Sequence, residues 1–86
     1  MGGYEEGLRI ASQEIGDSRV YVEPIKKILD DGKELYDYLI CRADNCKPII
    51  RVGIYMYHSE REALEQGAFY CWNIQNRRLI EEKIAA

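Results

Sequence analysis

The chain has 86 residues, of which 47% are hydrophobic and 31% are charged, a balance typical of a globular domain rather than of a disordered or fibrous chain. At this length folding removes only about 60–65% of the surface from water, so one small core is expected and a second is excluded. The formal net charge of −3 has the wrong sign for a general nucleic-acid binder and is too small to mark an acidic tail.

The first residues of the chain carry only a weak structural signal. Leu8, Ala11 and Ile15 suit either a short helix or an edge strand. We expect a single domain over 1–86 with three parts: a weakly determined segment 1–18, a region 19–58 made mainly of strands, and a long helix over 59–85.

Residues 24–42 fit two different structures. As a helix, the segment places its apolar residues on one side and its charged residues on the other. As a hairpin, Asp31 and Gly32 form a tight turn between two strands. Inside a helix, Gly32 would cost about 1 kcal/mol relative to alanine. A two-stranded sheet is only marginally stable by itself, so the strand predicted after residue 48 needs further strands beside it. We therefore predict the hairpin, with an additional amphipathic helix over 24–42 as the alternative.

A third strand is predicted over 49–57, which is rich in β-branched and aromatic residues. Alternation along this strand places four aliphatic side chains on the face that meets the helix: Ile50, Val52, Ile54 and Met56. The opposite face then carries Arg51, Gly53, Tyr55 and Tyr57.

The last third of the chain predicts a long helix. Ser59 and Glu62 form a capping box, and the sequence from Glu60 to near Ile84 favours a helix of about 37 Å. Residues at helical spacing form a stripe that we assign to the core: Leu64, Ala68, Cys71, Trp72, Gln75 and Leu79. The predicted fold class is α+β, a small antiparallel β-meander of about three strands packed against one long C-terminal helix.

The cysteines and the histidine are candidate metal ligands. Structural zinc takes four ligands of the types found at Cys41, Cys46, His58 and Cys71. However, the Cys-x4-Cys spacing is at the wide edge of the usual zinc knuckle, and Cys71 has no ligand one helical turn away. Small buried side chains and a surface histidine explain these residues better. We therefore expect no metal and no other cofactor, with a zinc-stabilised module as an alternative hypothesis.

The sequence favours a non-enzymatic protein of the cytoplasm. It contains no glycine-rich phosphate loop and no HExxH motif. It has no run of 18 apolar residues that could span a membrane, and residues 1–6 lack the basic and apolar regions of a secretory signal. Three cysteines cannot all pair within one chain, which indicates free thiols in a reducing compartment.

Tyrosine and arginine side chains are predicted to share the sheet face that points away from the helix: Tyr36, Tyr38, Arg42, Arg51, Tyr55 and Tyr57. Large rings with a polar tip and planar cations are enriched at protein interfaces, and they also suit stacking on unpaired bases. We predict that the protein binds another protein, as a regulatory subunit or inhibitor does, through this face or through the long helix. A nucleic-acid-binding module that uses the same residues is the alternative.

Three further residues lie off the core stripe of the predicted helix: Phe69, Tyr70 and Ile74. A three-stranded sheet would not cover them, so either the N-terminal segment or a second copy of the chain is needed. Dimerisation is a common way for a small domain to enlarge its core. We therefore predict a homodimer through these residues.

Overall fold

The computed structural model describes residues 17–51 and 53–86 of the chain. Its elements follow in the order β1 (Val20–Ile28), β2 (Glu34–Arg42), β3 (Pro48–Arg51), α1 (Glu60–Trp72) and α2 (Ile74–Ala85). The strands form one antiparallel sheet in the order β1-β2-β3, and α1 packs against β1 and β2. The predicted α+β class and three-stranded meander are confirmed. The predictions for Leu8, Ala11 and Ile15 lie outside the described residues.

A tight turn joins β1 to β2 and decides between the two structures predicted for 24–42. Gly32 has a φ of +85°, which glycine adopts without the steric penalty of a Cβ. Its N–H donates to the carbonyl of Leu29, and the side chain of Asp31 accepts from the amide of Lys33 at 2.9 Å. The segment therefore forms the predicted hairpin, and the alternative helix is wrong.

The core lies between the sheet and the helices. Val22 and Ile40 are opposite each other in the β1–β2 register, so their side chains share one face of the sheet. That face meets α1, because a Cβ built at Gly67 would overlap Val22. Buried apolar side chains from both layers fill this space: Val20, Val22, Ile40, Ile50, Ala63, Leu64, Cys71 and Ile80. The close approach at Gly67 therefore sets the distance between α1 and the sheet.

The predicted C-terminal helix is present in two pieces that meet at Asn73. This residue has extended backbone angles, and its side-chain oxygen accepts from the amides of Gln75 and Asn76 at 2.9 and 3.2 Å. Asparagine is a favoured N-cap because its short side chain satisfies the free amides of a new helix. At the start of α1, the amide of Glu62 donates to the hydroxyl of Ser59 at 3.1 Å, as the capping box predicts.

The break at Asn73 changes which helical residues reach the core. Three members of the predicted stripe are buried: Leu64, Ala68 and Cys71. The other three are exposed, so their assignment to the core is wrong: Trp72, Gln75 and Leu79. A period of 3.6 residues extends only along an unbroken helix, so the phase changes at Asn73 and Ile80 takes the buried position in α2. Trp72 precedes the break but lies roughly 110° around α1 from the centre of its buried face.

The third strand is shorter than the predicted 49–57. The chain leaves the sheet after Arg51 and returns at Tyr57, whose backbone exchanges two hydrogen bonds with Tyr36 at 2.8 and 3.0 Å. Between these points Gly53 and Tyr55 both adopt left-handed backbone, with φ of +76° and +55°. The segment is therefore a loop that bends away from the sheet and then rejoins it.

The carboxylate of Asp37 holds this loop in shape. Asp37 is completely buried in the middle of β2, and its Oδ2 accepts from the amides of Ile54 and Tyr55 at 2.7 and 3.2 Å. Its Oδ1 accepts from the amide of Tyr38 at 2.8 Å. A buried carboxylate needs such donors, because an unpaired buried charge is strongly destabilising. The loop supplies two of them.

The predicted aliphatic face of the third strand is only partly formed. Ile50 is buried in the core, as predicted. Ile54 and Met56 are 60% and 55% exposed, so the prediction that they meet the helix is wrong. Both lie in the loop that Asp37 holds, where the alternation of a strand no longer applies. Val52 lies outside the described residues.

Replacing Asp37 with asparagine should lower the free energy of unfolding by about 2–4 kcal/mol, because an amide nitrogen would face N–H donors that the carboxylate now satisfies. Urea denaturation measures the change. The exposed Asp30→Asn is the matched control and should stay within about 0.5 kcal/mol of the parent protein. An Asp37→Asn loss no larger than this control would show that the carboxylate does not hold the loop.

Replacing Gly67 with alanine should destabilise the protein by about 1–3 kcal/mol, although alanine favours helices. The new Cβ would overlap Val22 and lie 3.2 Å from Cδ1 of Tyr38. Thermal unfolding measures the loss, which should shrink when Gly67→Ala is made in a Val22→Ala background. The same cost in both backgrounds would contradict the close approach of α1 to β1.

Candidate binding surface

Several of the tyrosines predicted to be exposed instead meet one another beneath α1. Tyr38 is only 5% exposed and lies against Gly67. Its ring centroid is 6.2 Å from those of both Tyr57 and Tyr70, and the Tyr57 ring is stacked on it. Burial raises the pKa of the Tyr38 phenol, which therefore stays protonated. The predicted placement of Tyr38 on an open sheet face is wrong, and Tyr57 and Tyr70 are half-buried with it.

The strand register explains this correction. Ile40 lies opposite Ile50, so the alternate residues of β2 that share the side of Ile40 point toward the helices. These residues include Tyr36, Tyr38 and Arg42. The sequence correctly predicts which residues of one strand point to the same side. It does not show which of the two sides of β2 lies on the same sheet face as a given side of β3.

The side chains of Tyr36 and Arg42 both form hydrogen bonds with neighbouring groups of the same chain. The half-buried Tyr36 donates its hydroxyl hydrogen to Glu34 at 3.2 Å. Arg42 donates to both carboxylate oxygens of Asp44 at 3.0 and 2.9 Å, and a third bond of 3.0 Å reaches the carbonyl of Ile84 near the end of α2. Arg42 therefore stabilises the C-terminal end of the helix and is not part of an open tyrosine–arginine face.

The residues around the 53–57 loop, which are exposed except for the half-buried Tyr55, form a different surface. We call it the loop surface and define it by Lys27, Arg51, Ile54, Tyr55 and Met56. Ile54 and Met56 supply its exposed apolar area. The Lys27 ammonium lies 5.8 Å from the centre of the Tyr55 ring, within the range of a cation–π contact. Of the six residues predicted to bind a partner, Arg51 and Tyr55 belong to this surface.

The charge of the loop surface is positive. Arg51 pairs with Leu39, which is on the sheet face away from Gly67, and Lys27 lies on that same face. Neither cation forms an ion pair with any residue in 17–51 or 53–86. The half-buried Glu23 shares this face, and burial raises the pKa of its carboxyl group. The result is a pair of unpaired cations next to exposed aliphatic side chains in a chain of net charge −3.

A second exposed apolar area lies where the two helices meet. We call it the junction patch and define it by Phe69, Trp72 and Ile74. Phe69 and Ile74 are 49% and 72% exposed, and the ring centroids of Phe69 and Trp72 are 5.0 Å apart. Tyr70, predicted to share this area, instead packs its ring against Tyr38.

An ion network ties the start of β1 to α2. Both carboxylate oxygens of the buried Asp17 accept from Arg19 at 3.0 Å, and Arg77 donates to Oδ2 at 2.7 Å. Glu81 accepts from Arg19 as well. The hydrogen bonds from Arg19 and Arg77 hold the pKa of Asp17 well below its usual range. These contacts join the start of the sheet to α2.

The three cysteines and His58 do not form one cluster in the part of the chain that the structure describes. Cys41 and Cys71 are buried, and burial raises the pKa of each thiol to about 11. Cys46 and His58 are exposed. Among the residues that the structure describes, no three histidine, cysteine or acidic side chains are grouped as metal ligands would be.

The sequence pattern predicts that Ile54 and Met56 lie in the core, and it assigns Lys27 to no binding surface. Two signals in the sequence could have indicated the loop. Gly53 interrupts a run of β-branched residues, which often marks a bulge. Asp37 lies in the middle of a strand, where a charge requires several donors.

Comparison with protein families, curated proteins and solved structures found no match for this chain. No helix in the described part of the chain has both the length and the apolar character that crossing a bilayer requires.

One of the three thiols should react rapidly with a disulfide reagent at neutral pH. Cys46 is exposed, whereas Cys41 and Cys71 are buried and stay protonated up to a pH near their pKa of about 11. The absorbance of the thiolate that the reagent releases measures the rate. In urea, where the fold is lost, all three thiols should react. The Cys46→Ser variant should lose the fast phase, and a second fast thiol in that variant would contradict the placement of Cys41 or Cys71.

Proposed function

We propose that this protein is a non-enzymatic binding domain that contacts another protein through the loop surface. The observation that supports this proposal is the exposure of Ile54 and Met56 on a loop whose backbone is held by the buried Asp37. A loop that is already ordered loses little conformational entropy when it binds, so exposed apolar area on it contributes efficiently to affinity.

The chemistry of the loop surface favours a partner segment with both apolar and acidic residues. Methionine is unbranched and adapts to irregular apolar surfaces, and Ile54 adds rigid aliphatic area beside it. Lys27 and Arg51 are available to carboxylates because no described residue pairs with them. Arg51 can bind a carboxylate through two parallel hydrogen bonds.

A protein partner is favoured over nucleic acid by the positions of the tyrosines. Base stacking needs exposed rings, but Tyr38 is buried and Tyr36 and Tyr57 are half-buried. Tyr55 already has the Lys27 ammonium over its ring. Two unpaired cations would also neutralise few phosphates, whereas phosphate contacts dominate nucleic-acid affinity.

A domain that acts in this way occupies a surface of its partner, as regulatory subunits and inhibitors do. We place it in the cytoplasm, since free thiols persist in a reducing compartment.

The test is capture from the host cell followed by titration of each purified, captured protein against matched variants. The Ile54→Ser/Met56→Ser variant should bind a true partner at least tenfold more weakly, since removing about 1.4 kcal/mol of apolar contact has that effect. Lys27→Glu/Arg51→Glu should weaken the same complex, and more so at low salt. Ile28→Ser is the control, because Ile28 is 61% exposed and alternation along β1 turns its side chain to the sheet face opposite that of Lys27.

Equal binding of all variants by every captured protein would contradict the proposal. Binding to single-stranded or duplex oligonucleotides that falls steeply with salt would instead favour the nucleic-acid alternative. Circular dichroism of each variant confirms that a loss of binding is not a loss of fold.

A further inference from the structure

The second helix, α2, is attached to the rest of the fold by less apolar burial than α1. Five residues of α1 are buried, whereas α2 has one buried residue, Ile80, and the partly buried Ile84. It packs on α1 and on β3, and Arg42 donates to the carbonyl of Ile84 at 3.0 Å. A helix with few buried apolar contacts opens more readily than its neighbours, because local opening costs only the contacts that it breaks.

Four charged side chains supply a second attachment of α2. We call them the Asp17 network and define it by Asp17, Arg19, Arg77 and Glu81. Arg77 and Glu81 are on α2, whereas Asp17 and Arg19 precede β1. Arg77 donates to Asp17 at 2.7 Å, and Arg19 donates to both Asp17 and Glu81. The side chain of Asp17 is only 6% exposed, and hydrogen bonds to a buried carboxylate are stronger than those of an exposed ion pair. The network therefore helps to hold α2 on the sheet.

The break at Asn73 allows α2 to move without disturbing α1. The backbone of Asn73 is extended, and its side-chain oxygen caps α2 through the amides of Gln75 and Asn76. The amide of Asn73 donates to the carbonyl of Tyr70 and so closes the end of α1 at 3.3 Å. Each helix therefore has its own cap. A rotation about the Asn73 backbone would break the bond from the Asn76 side chain to the Tyr70 carbonyl, but it can leave both helices intact.

The thiol of Cys71 reports on the position of α2. Cys71 is completely buried in the last turn of α1 and shares the core with Ile80. Burial raises the pKa of this thiol, and the charges of Arg77 and Asp17 also act on it, so it lies close to the Asp17 network. Movement of α2 away from the sheet would therefore expose Cys71 to solvent while α1 and the sheet stay folded.

We propose that α2 opens as a unit about Asn73 while the sheet and α1 stay folded, and that the Asp17 network sets how often it opens. The open form uncovers Cys71 and the side of β3 that carries Ile50. No member of the network belongs to the loop surface, so this inference and the proposed function can each hold without the other.

Labelling of Cys71 in the Cys46→Ser background tests this inference, with peptide mass spectrometry to assign the label. The rate is measured where it is proportional to the concentration of the disulfide reagent, so that it reports the population of the open form. Asp17→Asn should accelerate the labelling of Cys71 by about tenfold, because it removes the charged acceptor of both arginines. Arg77→Gln breaks the same contact from the α2 side and should have the same effect. Circular dichroism shows that each variant folds.

Two controls separate the opening of α2 from unfolding of the whole chain. Gly32→Ala places a Cβ on left-handed backbone in the β1–β2 turn, so it should lower the global free energy of unfolding in urea but leave the labelling rate of Cys71 unchanged. Glu82→Gln changes an exposed carboxylate of α2 outside the network and should also leave the rate unchanged. A rate that rises with Gly32→Ala in proportion to the lost global stability would overturn the inference, because the whole fold would then have to open. Asp17→Asn and Arg77→Gln variants that label no faster than Glu82→Gln would overturn it as well.

Discussion

The buried carboxylate of Asp37 is the constraint on which the exposed 53–57 loop of this protein depends. A charge without access to water must be matched by donors, and the amides of Ile54 and Tyr55 supply two of them. Supplying them requires the chain to leave the sheet after β3, with left-handed backbone at Gly53 and Tyr55. The side chains of Ile54 and Met56 then face solvent, so an internal electrostatic requirement produces an external apolar surface.

The two exposed apolar areas differ in charge and in the element that carries them. The loop surface combines aliphatic side chains with two cations that no described residue pairs with, whereas the junction patch consists of two aromatic rings and an isoleucine on the helices. A surface with exposed cations suits a partner of opposite charge.

Much of the fold could be predicted because local chemistry specifies it. Gly32 favours a turn, and Ser59 with Glu62 marks the start of α1; the structure has both features at those positions. The candidate site was harder to predict. The sequence pattern predicts Tyr38 on an open face, but the pairing of Ile40 with Ile50 turns it toward α1. The register depends on both strands together, so neither strand's sequence alone predicts it. Ile54 and Met56 were expected in the core for the related reason that alternation was extended past the end of β3.

The sequence by itself determined the α+β class, the hairpin, the capping box and the buried part of the α1 stripe. Each follows from side chains within a few residues of one another, whose backbone preferences act locally. Only the tertiary structure decided which tyrosines are buried, where the third strand ends and which apolar side chains remain exposed. Those outcomes depend on contacts between distant parts of the chain, above all Asp37 with the loop and Gly67 with Val22. Such contacts are selected by the burial of charge and by close packing, which no local pattern records.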